Sequence, residues 1–166
     1  MVRMEVTNLD QMHEWDAERI RFALEGMNRI LASPLFEEEW MKAKLTETEG
    51  LTNRQVLDKI LCADALSPLD KVGVLDVEVI LYQRSWSRVV GYTFFNAVTI
   101  WVNRKFFGGP MSICSNLFHE STHQLGFGHA GSWATTIPYT GNRIVEKLWP
   151  ELCKDIDVRY WKWWYS

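Results

Sequence analysis

The stretch His119-Glu120-Ser121-Thr122-His123-Gln124-Leu125-Gly126-Phe127-Gly128-His129 decides the reading of this 166-residue chain. It has the pattern H-E-x-x-H-x-x-G-x-x-H and holds three of the chain's four histidines. Five specified residues at set spacing arise by chance on the order of once in 10⁵ chains of this length. On an α-helix, His119 and His123 stand one turn apart on one face, so both imidazoles reach a single ion. Glu120 is one step round and lies beside such an ion, where a base takes a proton from water. Gly126 suits the positive φ of a helix C-cap. The reversed chain then returns His129 as a third ligand. Three protein ligands leave a fourth tetrahedral position open, which separates a catalytic zinc site from a structural one. The alternative is a surface helix carrying two histidines by coincidence, which leaves Glu120, Gly126 and His129 unexplained.

Working outward, Ser112 is the expected N-cap of this helix, after Gly108-Gly109-Pro110. Ile113, Leu117 and Leu125 give it a buried stripe. The motif resembles the zinc-binding signature of the metzincin clan of metallopeptidases. The resemblance implies that His119, His123 and His129 bind Zn²⁺, that Glu120 is general base and general acid, and that Gly126 makes the turn. Metzincins also carry a methionine turn beneath the zinc, downstream of the third histidine. Here the last methionine is Met111, before the motif, so none can fill that role. Thr136-Ile137-Pro138-Tyr139-Thr140-Gly141 falls where that turn would be, and resembles the S-V-P-Y-type turn of bacterial metzincin-like proteins. By the same resemblance Tyr139 is a candidate to ligate zinc or donate to an oxyanion; the alternative is a Pro-Tyr turn packed under the site. The resemblance covers roughly residues 75–148 and implies a small metzincin-like α+β domain.

Length sets the prior of one domain over residues 1–166, and 47% hydrophobic residues suffice for a core. A net charge of −3 without a basic block gives nucleic-acid binding little support. No apolar run approaches the length of a membrane span. Met1 to Asp10 lacks the apolar centre of a signal peptide, so the chain reads as cytoplasmic as written, or as a trimmed form of a secreted one. Cys62, Cys114 and Cys153 are too few and too irregular for a disulfide framework. Cys114 and Cys153 could pair, but buried free thiols are the expectation.

Residues 1–70 read as a helical N-terminal part. Ile20, Leu24, Met27 and Leu31 mark a helix over 10–32 that Ser33-Pro34 ends. A short acidic helix is expected over 35–45, with Glu37-Glu38-Glu39 as a solvated face. Thr52-x-x-Gln55 is a capping box for a third helix carrying Val56, Leu57, Ile60 and Leu61, and Ser67-Pro68 closes that part. Residues 71–148 hold the sheet, the zinc helix and the turn. Val77, Val79 and Leu81 alternate in one strand, Val89 to Phe95 form a second that turns at Asn96, and Val98, Ile100 and Val102 alternate in a third. A helix from Asn142, interrupted near Pro150, leads into an aromatic segment, 149–166. Tyr160-Trp161-Lys162-Trp163-Trp164-Tyr165 is expected to dock on the core; a platform for sugars or a membrane interface is the alternative.

The expected function is zinc-dependent hydrolysis of peptide bonds, with a peptide or protein as substrate. Gly91-Tyr92-Thr93 reads first as a strand with an ordinary glycine or bulge; the alternative is a sheet edge to which an extended peptide could add. Two alternatives stand beside it: a zinc hydrolase acting on cell-wall peptide or another amide, and a catalytically idle zinc-bearing module. Intact Glu120 speaks against the second. His13 reads as a surface residue, and no loop pattern makes Asp155 and Asp157 a calcium site.

Overall fold

A computed structural model describes residues 3–62, 73–95, 97–129 and 135–166. The chain is α+β, with a small mixed sheet and six α-helices among the described residues. In chain order these are β1 (Arg3–Val6), α1 (Glu14–Leu31), α2 (Pro34–Lys42), α3 (Asn53–Leu61), β2 (Val74–Tyr82), β3 (Gly91–Thr93), β4 (Thr99–Asn103), α4 (Pro110–Gln124), α5 (Ile137–Leu152) and α6 (Lys154–Trp164). The sheet order is β1-β2-β4-β3. Strands β1, β2 and β4 run parallel, and β3 pairs antiparallel with β4 as an edge, Tyr92 opposite Trp101.

The three expected N-terminal helices form. His13 caps α1, its ring accepting from the backbone N–H of Trp15. Ser33 both follows α1 and caps α2, where Pro34 occupies a position whose N–H has no helical partner. Thr52 and Gln55 make the expected capping box on α3. The N-terminal part is not wholly helical, however. Met4 and Val6 are buried between exposed Arg3 and half-buried Glu5, and β1 pairs with β2 from Arg3↔Val74 to Val6↔Val77. The side-chain amide of Asn28 on α1 exchanges hydrogen bonds with the N–H and C=O of Met4, so α1 satisfies the free edge of β1.

Three boundaries differ from the expected ones. The strand around Gly91 is only three residues long. Helix α4 begins at Pro110 with Gly109 as N-cap, so Ser112 lies inside the helix and does not cap it. Helix α5 begins at Ile137 rather than Asn142, which makes the expected turn Thr136–Gly141 the N-cap and first residues of a helix. Pro138 fits there for the same reason as Pro34. Pro150 lies inside α5, which continues to Leu152 and breaks at Cys153. Ser67, Pro68 and Asn96 lie outside the described residues.

One apolar cluster draws on every helix and on β1, β2 and β4. Two glycines let its helices close up. A Cβ on Gly26 of α1 would sit 2.2 Å from the Trp149 ring, and one on Gly141 of α5 would sit 2.0 Å from Phe118 of α4. Trp149 is 1% exposed and its indole N–H donates to Asp157 on α6, so one side chain joins α5, α1 and α6. Phe36 and Trp40 of α2 both pack edge-on against Phe118, bracing α4.

Cys114 and Cys153 are buried and unpaired, and Cys62 is exposed and free. The acidic run of α2 is not merely solvated: Glu37 pairs with Arg54, and Glu39 with Lys42 and Lys147. Asp155 pairs with Arg29. In the run Tyr160–Tyr165 only Tyr160 is fully buried; Trp163 packs half-buried against Phe22 and Trp15. Trp161, Trp164 and Tyr165 keep large exposed faces. No helix among the described residues is long and apolar enough to cross a membrane.

Candidate metal centre

Helix α4 presents His119 and His123 one turn apart, as 3.6 residues per turn requires, with ring centroids 5.1 Å from each other. The helix then ends in a Schellman turn. Gly126, at φ +94°, donates its N–H to the carbonyl of His123, and Phe127 donates to the carbonyl of Thr122. That reversal brings the ring of His129 to 5.4 Å from His119 and 4.9 Å from His123. One ligand-capable nitrogen of each histidine lies within 4.8 Å of the others. Two nitrogens sharing one tetrahedral ion stand about 3.3 Å apart, so small side-chain rotations bring all three onto one metal.

The electrostatics suit ligands. Burial pushes His119 down to about 3, with His123 and His129 adding to the effect. His123 is lowered by burial too, against the opposing pull of its bond to Phe127. Both rings are therefore neutral at pH 7, the form in which a lone pair is available. Nδ1 of His123 lies 2.6 Å from the carbonyl oxygen of Phe127. A carbonyl only accepts, so Nδ1 carries the proton and Nε2 is left as the donor atom for a metal. Nδ1 of His119 is buried with no hydrogen-bond partner. Three imidazoles are a borderline-soft donor set that fits zinc and also copper, nickel or iron.

Glu120 is 4% exposed, and burial raises its carboxyl to about 7. A carboxyl poised near neutrality beside a histidine cluster has the proton affinity of a general base. Tyr139 reaches the same place from another element. In the first turn of α5, its ring centroid lies 4.7 Å from that of His119 and 5.2 Å from that of His129. Burial, with the charge of Glu120 second, raises its hydroxyl pKa, so it holds its proton at neutral pH. The start of α5 is fixed by Thr46, which bridges to Thr136 and donates its backbone N–H to the carbonyl of Thr135.

All five residues expected at the site thus converge: His119, His123, His129, Glu120 and Tyr139. Two residues that shape it carried no sequence signal. Phe127 acts through its carbonyl, which any residue at that position would supply. Asn116, one turn before Glu120, is buried against β3, where a Cβ on Gly91 would lie 2.7 Å from its amide nitrogen. Gly91 is therefore required by close packing of the edge strand on α4. No family model, curated protein or solved structure matches the chain.

Proposed function

We propose that this chain is a zinc-dependent hydrolase of peptide bonds, of metzincin-like type. The observation that carries the reading is the convergence of three histidine nitrogens, from a helix and from the turn after it, beside a buried glutamate on the same helix. His119, His123 and His129 would hold the ion through their ring nitrogens. Zinc, when bound, supplies Lewis acidity that makes water acidic and a carbonyl electrophilic. Glu120 takes the proton of the attacking water and delivers it to the nitrogen of the departing amine. The protonated hydroxyl of Tyr139 donates to the oxygen of the substrate carbonyl as charge builds on it. The exposed outer edge of β3 is the place for an extended peptide to add by main-chain hydrogen bonds.

The expected result is about one zinc per wild-type chain purified without added metal, with none in His123→Ala. Wild-type protein then cleaves peptides from a mixed library and Glu120→Ala does not. Absence of zinc in the wild type, with no uptake on addition, overturns the reading. Loaded protein that cleaves no peptide overturns the hydrolase and leaves the metal centre.

A further inference from the structure

Strand β3 has one edge on β4 and the other outside the sheet. The N–H of Asn103 donates to the carbonyl of Val90, and two residues further along the same register Tyr92 stands opposite Trp101. Hydrogen-bonded pairs alternate along an antiparallel ladder, so Tyr92 bonds to Trp101, and the N–H and C=O groups of Gly91 and Thr93 point away from β4. Those are the groups that an added strand meets.

Side chains alternate across the same strand. Gly91 faces α4, where a Cβ on it would lie 2.7 Å from the amide nitrogen of Asn116. Thr93 faces the same way. Tyr92 and Phe94 face the opposite way, against Trp101. The alternation returns Phe95 to the α4 side, and its ring is found there: a Cβ on Gly128, the residue before His129, would lie 3.9 Å from it. A turn in which the N–H of Ala97 donates to the carbonyl of Phe94 holds the backbone at this point. Phe95 therefore reaches from the end of β3 to the loop that carries the third histidine, and 63% of it is still exposed.

The two segments that meet here, Tyr92-Thr93-Phe94-Phe95 and Gly126-Phe127-Gly128-His129, carry no charged side chain besides the histidine. Lys59 of α3 comes near Gly126, but it is held over the ring of Phe127 at 5.1 Å. A charged group brought here loses water without gaining a partner, whereas an apolar group gains by covering the Phe95 ring.

We propose that Phe95 is a specificity-determining residue: its ring is the wall of a subsite, beside the histidine cluster, that takes a large apolar side chain of the substrate. An extended peptide bonded to Gly91 and Thr93 turns the side chain of its residue opposite Thr93 toward α4. Phe95 stands diagonal to that residue, within reach of an aromatic or long aliphatic group. A short side chain leaves the ring wet. That the ligand is a substrate peptide rests on the peptidase reading; the apolar subsite itself does not.

Saturation-transfer NMR of the full chain with the N-acetyl amides of phenylalanine, leucine, alanine, lysine and aspartate tests the subsite without turnover. The phenylalanine and leucine amides should receive saturation and lose it in Phe95→Ser. Phe94→Ser, on the opposite face of the strand, should keep it. Thermal melts confirm that both variants are folded. A peptide library with metal-loaded protein then tests selection. Peptides with phenylalanine or leucine at one fixed position from the cleaved bond should be cut at least about tenfold faster than those with alanine there. Phe95→Ser should erase that preference at unchanged metal content. Saturation that is absent, that survives in Phe95→Ser, or that is as strong for the lysine or aspartate amide overturns the proposal. So does an apolar preference that Phe95→Ser leaves intact. A library left uncut while the Phe95-dependent saturation persists removes the peptidase reading and leaves the subsite.

Discussion

Nδ1 of His123 donates to the carbonyl of Phe127, four residues on, and the positive φ of Gly126 is what places that carbonyl there. One glycine thus ends the helix, sets the donor atom of the second histidine and returns the chain toward the third. In Gly126→Ala the added Cβ meets only the flexible end of Lys59 at 3.7 Å, so its cost is conformational. That cost is about 1–2 kcal/mol. Disturbing the partner of a ligating histidine costs about 10–100-fold in metal affinity. The variant should therefore show both a lower melting temperature and weaker metal binding in a chelator competition. A lower melting temperature with unchanged affinity would mean that the turn serves the fold alone.

Glu120 gives the chain an unusual pH dependence when metal is stripped. Its carboxyl is raised by burial to about 7, above the 4.5 of an unburied glutamate. Stability from keeping it neutral is full below pH 4.5 and is lost as pH rises through about 7. The full loss is about 3 kcal/mol. Glu120→Gln removes it, so the variant should melt higher than wild type above pH 7 and equally at pH 4.5. Chelator-treated melts across this range decide the matter. An equal difference at both ends would show that ionisation of Glu120 is not the cause.

The histidines act at the other end of the scale. His119 is depressed to about 3, so its contribution to stability is full above 6.5 and is lost as pH falls toward 3. His123 shifts the same way and steepens that loss. The sequence alone leads one to expect that activity fades in mild acid as the ligands protonate. Burial moves the ligands' share of that fading lower, because protons compete less well for both nitrogens. Metal should stay bound a full pH unit below the ordinary histidine value of about 6.5. Metal content after dialysis through a pH series measures this, and half-release at or above 6.5 would contradict it.

The helix of His119 and His123, its glycine turn and the capping box of α3 were legible because each is written within a dozen residues. Spacing along one helix fixes where His119 and His123 point, and a positive-φ turn is what glycine is suited to. Strand β1 was not legible. Its alternation, Met4 and Val6 against Arg3 and Glu5, spans only four residues, and its partner lies some seventy residues on at Val74–Val77. Parallel pairing over that distance leaves no local trace. The start of α5 was misplaced for another reason. Pro138 and Gly141 read as turn formers, yet Pro138 occupies a first-turn position that needs no N–H, and Gly141 is required by the ring of Phe118. Packing from another helix selected that glycine. In the same way the approach of Asn116 selected Gly91.

Tyr139 rests on that contact. Gly141 lets α5 close on α4, and this closeness sets the Tyr139 ring beside His119 and His129. Two roles are open to its hydroxyl, and one variant separates them. If the hydroxyl donates to the substrate oxygen, Tyr139→Phe retains metal and its melting temperature and loses about 10²–10³-fold in kcat, as removal of an oxyanion donor does. If the hydroxyl is a ligand, metal affinity falls with the rate. Gly141→Ala provides the structural counterpart. Its Cβ cannot coexist with Phe118, so α5 shifts, stability drops by about 1–3 kcal/mol, and kcat falls although Tyr139 is intact. Full activity in folded Tyr139→Phe would take the tyrosine out of the chemistry. The Phe118–Gly141 contact would then serve packing only, and Glu120 with the three histidines would be the whole of the catalytic set.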